Sequence, residues 1–112
     1  MSSLRESDTR MSRIIEQHRE ELEKLCRTYR VVKLYAFGSA TSDRFSPDTS
    51  DIDFLVLFAP MTPFEHADAY FGLIESLEKL YQRPVDLIED TAIRNPYFRK
   101  EVEETRIMLY AA

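Results

Sequence analysis

Only two glycines, five prolines and a single cysteine occur among the 112 residues, and each scarcity narrows what the chain can be. So little glycine and proline, beside 44% hydrophobic and 31% charged residues, describes a folded globular domain and excludes a disordered or fibrous chain. The lone Cys26 cannot form an internal disulfide, so a reducing, cytoplasmic setting is expected. No apolar run approaches the ~20 residues that a membrane-spanning helix needs. The polar stretch from Met1 to Arg10 offers nothing that could serve as the apolar part of a signal peptide. Cations are also short: the formal net charge is -5, from 15 Lys+Arg against 20 Asp+Glu. Residues 61–90 carry only Lys79 and Arg83 against Glu65, Asp68, Glu75, Glu78, Asp86, Glu89 and Asp90. A nonspecific grip on nucleic acid requires a basic field, so direct nucleic-acid binding ranks below a protein or small-molecule partner. The length suits one domain spanning 1–112, with one modest core.

The apolar residues that remain are well patterned. Met11, Ile14, Ile15, His18, Leu22, Leu25 and Cys26 recur at helical spacing and predict a first helix. Val31 to Phe37 reads as a strand buried on both faces, ending at Gly38-Ser39. The polar stretch from Thr41 to Ser50 has loop chemistry. Asp51 to Phe58 predicts a second strand, with Ile52, Phe54, Val56 and Phe58 on one face and Asp51, Asp53, Leu55 and Leu57 on the other. Thr62, Pro63 and Glu65 form a capping-box start for a helix running to about Tyr81. Pro84 to Ile88 predicts a third strand, with Asp86 facing away from Val85 and Leu87. Asn95-Pro96 opens a last helix to about Thr105, and Ile107 to Tyr110 can add a final strand. The expected class is α/β (α+β), a small mixed sheet packed with helices.

The chemistry gathers on three acids and one turn. Asp51 and Asp53, at i and i+2, put two negative charges on one side of a strand whose remainder is apolar, a costly arrangement unless a cation neutralises them. Asp86 places a third acid inside the apolar run P-V-D-L-I. Three such carboxylates suit hard, oxygen-seeking Mg²⁺. Two ions ~3.5–4 Å apart can clamp the attacking and leaving oxygens of a phosphoryl displacement. At Gly38-Ser39 the glycine permits close approach of backbone to phosphate, and Ser39 adds a hydroxyl. Acids that hold metal and a turn that holds phosphate together describe a nucleoside triphosphate site.

The run F-G-S, a polar loop and S-D-I-D-F-L-V resembles the signature of the DNA polymerase β-like nucleotidyltransferases. The V-D-L-I strand and the tail N-P-Y-F-R-K-E-V-E-E-T-R-I-M-L-Y-A resemble the prokaryotic minimal nucleotidyltransferases, the MNT group, over essentially the whole chain after the first helix. That resemblance implies a palm-like sheet and Mg²⁺-dependent transfer of a nucleoside monophosphate from a triphosphate, with ATP as donor, to a hydroxyl. It implies that Gly38 and Ser39 hold the triphosphate, that Asp51 and Asp53 bind metal, and that Asp86 is the third carboxylate, helping to activate the acceptor. It further implies a HEPN ribonuclease toxin as partner, neutralised by AMP on a tyrosine, with this chain as antitoxin. The loop from Ala40 to Ser50 is one residue longer than the family's usual spacing and has Ser42-Asp43-Arg44-Phe45 where a further glycine is common.

Other readings fit less well. A haloacid-dehalogenase phosphatase wants Thr or Val where Leu55 stands, a D-x-D glycosyltransferase needs a domain about twice this size, and an EF-hand would not continue Phe54-Leu55-Val56. His18, His66 and Cys26 read as packing or surface residues. Phe64, Tyr70, Phe71 and Tyr81 follow helical spacing and are expected in the core, as are Tyr97 and Phe98, although the last two could stack on a base or dock a partner. Two further functions compete: a non-catalytic antitoxin that covers the toxin's active site, and a transferase acting on a small molecule such as an aminoglycoside.

Overall fold

Helix starts follow from local capping chemistry. The Thr62 hydroxyl accepts the Glu65 N–H at 3.2 Å and the Glu65 carboxylate accepts the Thr62 N–H at 3.0 Å, with Pro63 as first helical residue. The Asn95 side chain accepts the N–H groups of Tyr97 and Phe98 at 2.8 and 3.2 Å, ahead of Pro96. The computed structural model describes residues 10–38 and 51–112. Its elements are α1 (Arg10–Gln17), α2 (Arg19–Thr28), β1 (Val31–Phe37), β2 (Ile52–Phe58), α3 (Pro63–Tyr81), β3 (Val85–Glu89), a short 3-10 turn at Asp90–Ala92, α4 (Pro96–Thr105) and β4 (Ile107–Ala111). Ser39, Arg44 and the polar stretch up to Ser50 lie outside the described residues. No described helix is long and apolar enough to cross a membrane.

The expected first helix is two helices. No proline or glycine interrupts it; instead the His18 N–H bonds the Ile15 carbonyl at 3.1 Å, an i→i−3 bond that turns the chain. Tertiary contacts hold the break. The His18 ring meets Tyr81 edge-on at 5.7 Å, and the Arg19 guanidinium donates to the Leu109 carbonyl at 3.1 Å.

Four strands form one mixed sheet in the order β3-β2-β1-β4. β1 is antiparallel to both β2 and β4, whereas β2 and β3 are parallel. Alternation of side chains divides the sheet into two cores. Leu34, Ala36, Ile52, Phe54, Val56 and Leu87 face the larger one, which α1, α2 and α3 close with Ile15, Leu22, Cys26, Leu73, Leu77 and Tyr81. On the opposite face Tyr35, Phe37 and Leu55 pack beneath Val102 and Phe98 of α4. Asp53 of β2 and Asp86 of β3 share this second face with Leu55 and Ile88, so α4 covers part of the face that bears them.

Three aromatics depart from expectation. Phe64 is 81% exposed, Phe71 67% and Tyr97 84%. α3 turns Ala69, Leu73, Leu77 and Tyr81 inward, which leaves Phe64 and Phe71 on its outer side. Phe98 is in its expected place, edge-on to Phe37 at 5.9 Å.

Candidate active site

The register of the sheet places the acids. Asp53 stands opposite Asp86 on β3 and opposite Phe37 on β1. Neighbouring strands lie ~4.8 Å apart and directly paired residues share a face, so the two carboxylates rise side by side. Asp51 sits just before β2, two residues from Asp53. Asp51 and Asp86 are exposed and Asp53 is half-buried, so the group opens to solvent.

Gly38 forms the wall beside Asp53. It ends β1 with φ +70, in the left-handed region, and a Cβ built there would come within 3.0 Å of Asp53 Oδ2. Glycine therefore serves twice, by adopting the turn and by leaving room against the carboxylate. Its N–H donates to the Thr105 hydroxyl at 3.0 Å, so that donor is engaged within the protein.

Electrostatics single out the middle acid. Burial, then the charges of Asp86, Asp51 and Glu101, push the Asp53 carboxyl up from 3.8 to about 6. Among the described residues no Lys, Arg or His forms an ion pair with Asp53 or Asp86. Nor do any three His, Cys, Asp or Glu side chains among them already stand close enough to grip one ion. Paired carboxylates, charge crowding at Asp53 and oxygen-only donors nevertheless fit a hard divalent cation such as Mg²⁺, which would draw mutually repelling groups together.

The structure brings Gly38, Asp53 and Asp86 together, with Asp51 within electrostatic reach of Asp53. Ser39 falls outside the described residues. Sequence reasoning missed Glu101 and Thr105, both contributed by α4. Their only signal was acid and hydroxyl at i and i+4 on the helix after Asp86, which looks like any solvated helix face until α4 docks.

The remaining candidates belong to the scaffold. Cys26 is fully buried, and burial pushes its thiol up to about 12. His66 bonds the Glu89 carboxylate at 2.6 Å and meets Phe58 edge-on, joining α3 to the far end of β3 from Asp86.

Known proteins share this family and this fold. The nucleotidyltransferase domain family matches residues 15–109. A Methanocaldococcus jannaschii protein named "Putative protein adenylyltransferase MJ1379" is 35% identical over 94 residues, covering 84% of this chain and 89% of its own. A solved structure described as a "putative minimal nucleotidyltransferase" is 29% identical, covers 83% of this chain and 90% of its own, and superposes with a TM-score of 0.63. A solved complex of tri-AMPylated Shewanella oneidensis HEPN toxin with MNT antitoxin contains a chain of the same fold. That chain is 22% identical, with a TM-score of 0.59, over 87% of this chain and 72% of its own.

Proposed function

The chain belongs to the nucleotidyltransferase domain family, and from that premise we propose that it is a Mg²⁺-dependent protein adenylyltransferase. It moves AMP from ATP to a hydroxyl, a tyrosine by preference, of a HEPN-type ribonuclease toxin in the cytoplasm, and so acts as an antitoxin. The observation that carries this reading is the register pairing of Asp53 with Asp86 beneath the Gly38 turn. The adenylyltransferase name of the 35% identical relative and the AMPylated toxin in the solved complex support the donor and the partner class.

Asp51 and Asp53, with Asp86, are the residues that would hold the metal. Mg²⁺ bound there supplies neutralisation of phosphate charge and a lowered pKa for the acceptor hydroxyl. Gly38 lets the backbone pass close to Asp53 at the edge of the site, and Ser39 offers the triphosphate a hydroxyl. Asp86 takes the proton of the acceptor as its oxygen bonds to the α-phosphorus. The bond from that phosphorus to the bridging oxygen breaks, and pyrophosphate leaves.

A second reading rests on Phe64 and Phe71, whose exposure on one side of α3 favours a protein-docking face. On that reading the chain neutralises its partner by binding, without chemistry. The two separate in cells producing the HEPN-type protein from the same source. Adenylyl transfer predicts that wild type restores growth and leaves the toxin heavier by AMP, while Asp53→Asn does neither. Equal rescue by Asp53→Asn, with unmodified toxin, contradicts it.

A further inference from the structure

Gly38 lies against Asp53, and the pairing of β1 with β2 ends one residue earlier, at Phe37 and Asp53. Past that point the sheet ladder no longer dictates where the backbone goes. A contact from 67 residues away takes over, since the Gly38 N–H donates to Thr105 Oγ1 at 3.0 Å. The hydroxyl is itself oriented. It donates its proton to the Glu101 carbonyl one helical turn back, at 2.9 Å, which leaves its lone pairs for Gly38. The helix that carries it is anchored, because Val102 is 1% exposed and Phe98 packs on Phe37. Gly38 in turn lies against the Asp53 carboxylate so closely that a methyl group there would touch it.

We infer that Thr105 is a positioning residue. Its hydroxyl fixes where the Gly38 backbone stands against the Asp53 carboxylate and so sets the edge of the site that the triphosphate meets. The last turn of α4 thereby governs nucleotide affinity without touching the nucleotide. This rests on the adenylyltransferase reading for its kinetic consequence, but the tether itself can be measured without turnover.

The test compares Thr105→Val, which keeps the branched shape and removes the hydroxyl, with Thr105→Ser, which keeps the hydroxyl. Amide hydrogen exchange at Gly38 should accelerate about tenfold in Thr105→Val, the scale of one lost hydrogen bond. The KM for Mg²⁺-ATP should rise roughly three- to tenfold on the same argument, with the KM for the acceptor protein unchanged. Serine should restore both values. A purely structural role would lower melting temperature and both KM values together, and serine would not separate the effects. Thr105→Val with Gly38 exchange and nucleotide KM within about twofold of wild type would overturn the inference, as would loss that serine does not restore. If wild type transfers nothing, the enzyme reading fails, while Gly38 exchange and calorimetric binding of Mg²⁺-ATP still decide the role of Thr105.

Discussion

At Asp53 a partly buried carboxylate faces three further acids, and the protein destabilises itself to keep it there. Its carboxyl is pushed up to about 6 from 3.8. Between those values the folded state binds more protons than the unfolded one, so stability falls as pH rises through this window, and the cost is fully present above it. Asp53→Asn removes the cost. The metal-free variant should be more stable than wild type at pH 7, by about 1 kcal/mol once solvent screening is allowed for. The gain should vanish below about pH 4, in the range of unfolded carboxylates. Paired thermal melts at both pH values check this. Gly38→Ala is the opposite case. A side chain at φ +70 should cost roughly 1–2 kcal/mol, and the added Cβ presses on Asp53 Oδ2. Melting temperature and adenylyl transfer should therefore fall together. The three acids and the glycine were legible in the sequence because acids in apolar strands and a lone glycine at a strand end are anomalies. Glu101 and Thr105 were illegible because neither is anomalous where it stands.

Among the elements, those with explicit start signals came out of the sequence nearly residue for residue. α3 begins at Pro63 and α4 at Pro96 because Thr62 and Asn95 satisfy N–H groups that the helix leaves open. Thr62→Ala should accordingly cost about 1 kcal/mol, read from urea denaturation, with no effect on nucleotide binding, since that end of α3 lies away from the acids. The strands were legible from alternation, and the second face of β2 was rightly assigned to Asp53 and Leu55. What failed was inference from periodicity alone. The stripe from Met11 to Cys26 fits one helix, yet contacts of His18 and Arg19 with Tyr81 and the Leu109 carbonyl divide it. Phe64 and Phe71 share helical spacing with core residues, but only one side of α3 meets the sheet. Which side that is depends on the sheet order β3-β2-β1-β4, a fact of tertiary structure that no local pattern contains.

For the whole molecule, sequence, fold and kinship converge on one activity. The net charge of -5 disfavours a nucleic-acid acceptor, and a chain this small has little surface left for gripping base and acceptor once its core is built. A partner protein that completes the pocket suits both facts. The exposed Phe64 and Phe71 stand on the face opposite the acids, so they are a separate docking surface that serves the binding reading rather than the pocket. The most direct test incubates the purified chain with α-labelled ATP, Mg²⁺ and lysate of its source cells, beside Asp53→Asn and a chelator control. The account predicts label on one protein band with wild type alone, lost with the variant and on chelation. No label from ATP or any other nucleoside triphosphate, while the chain still draws a stable complex from the same lysate, would contradict it and leave binding as the function.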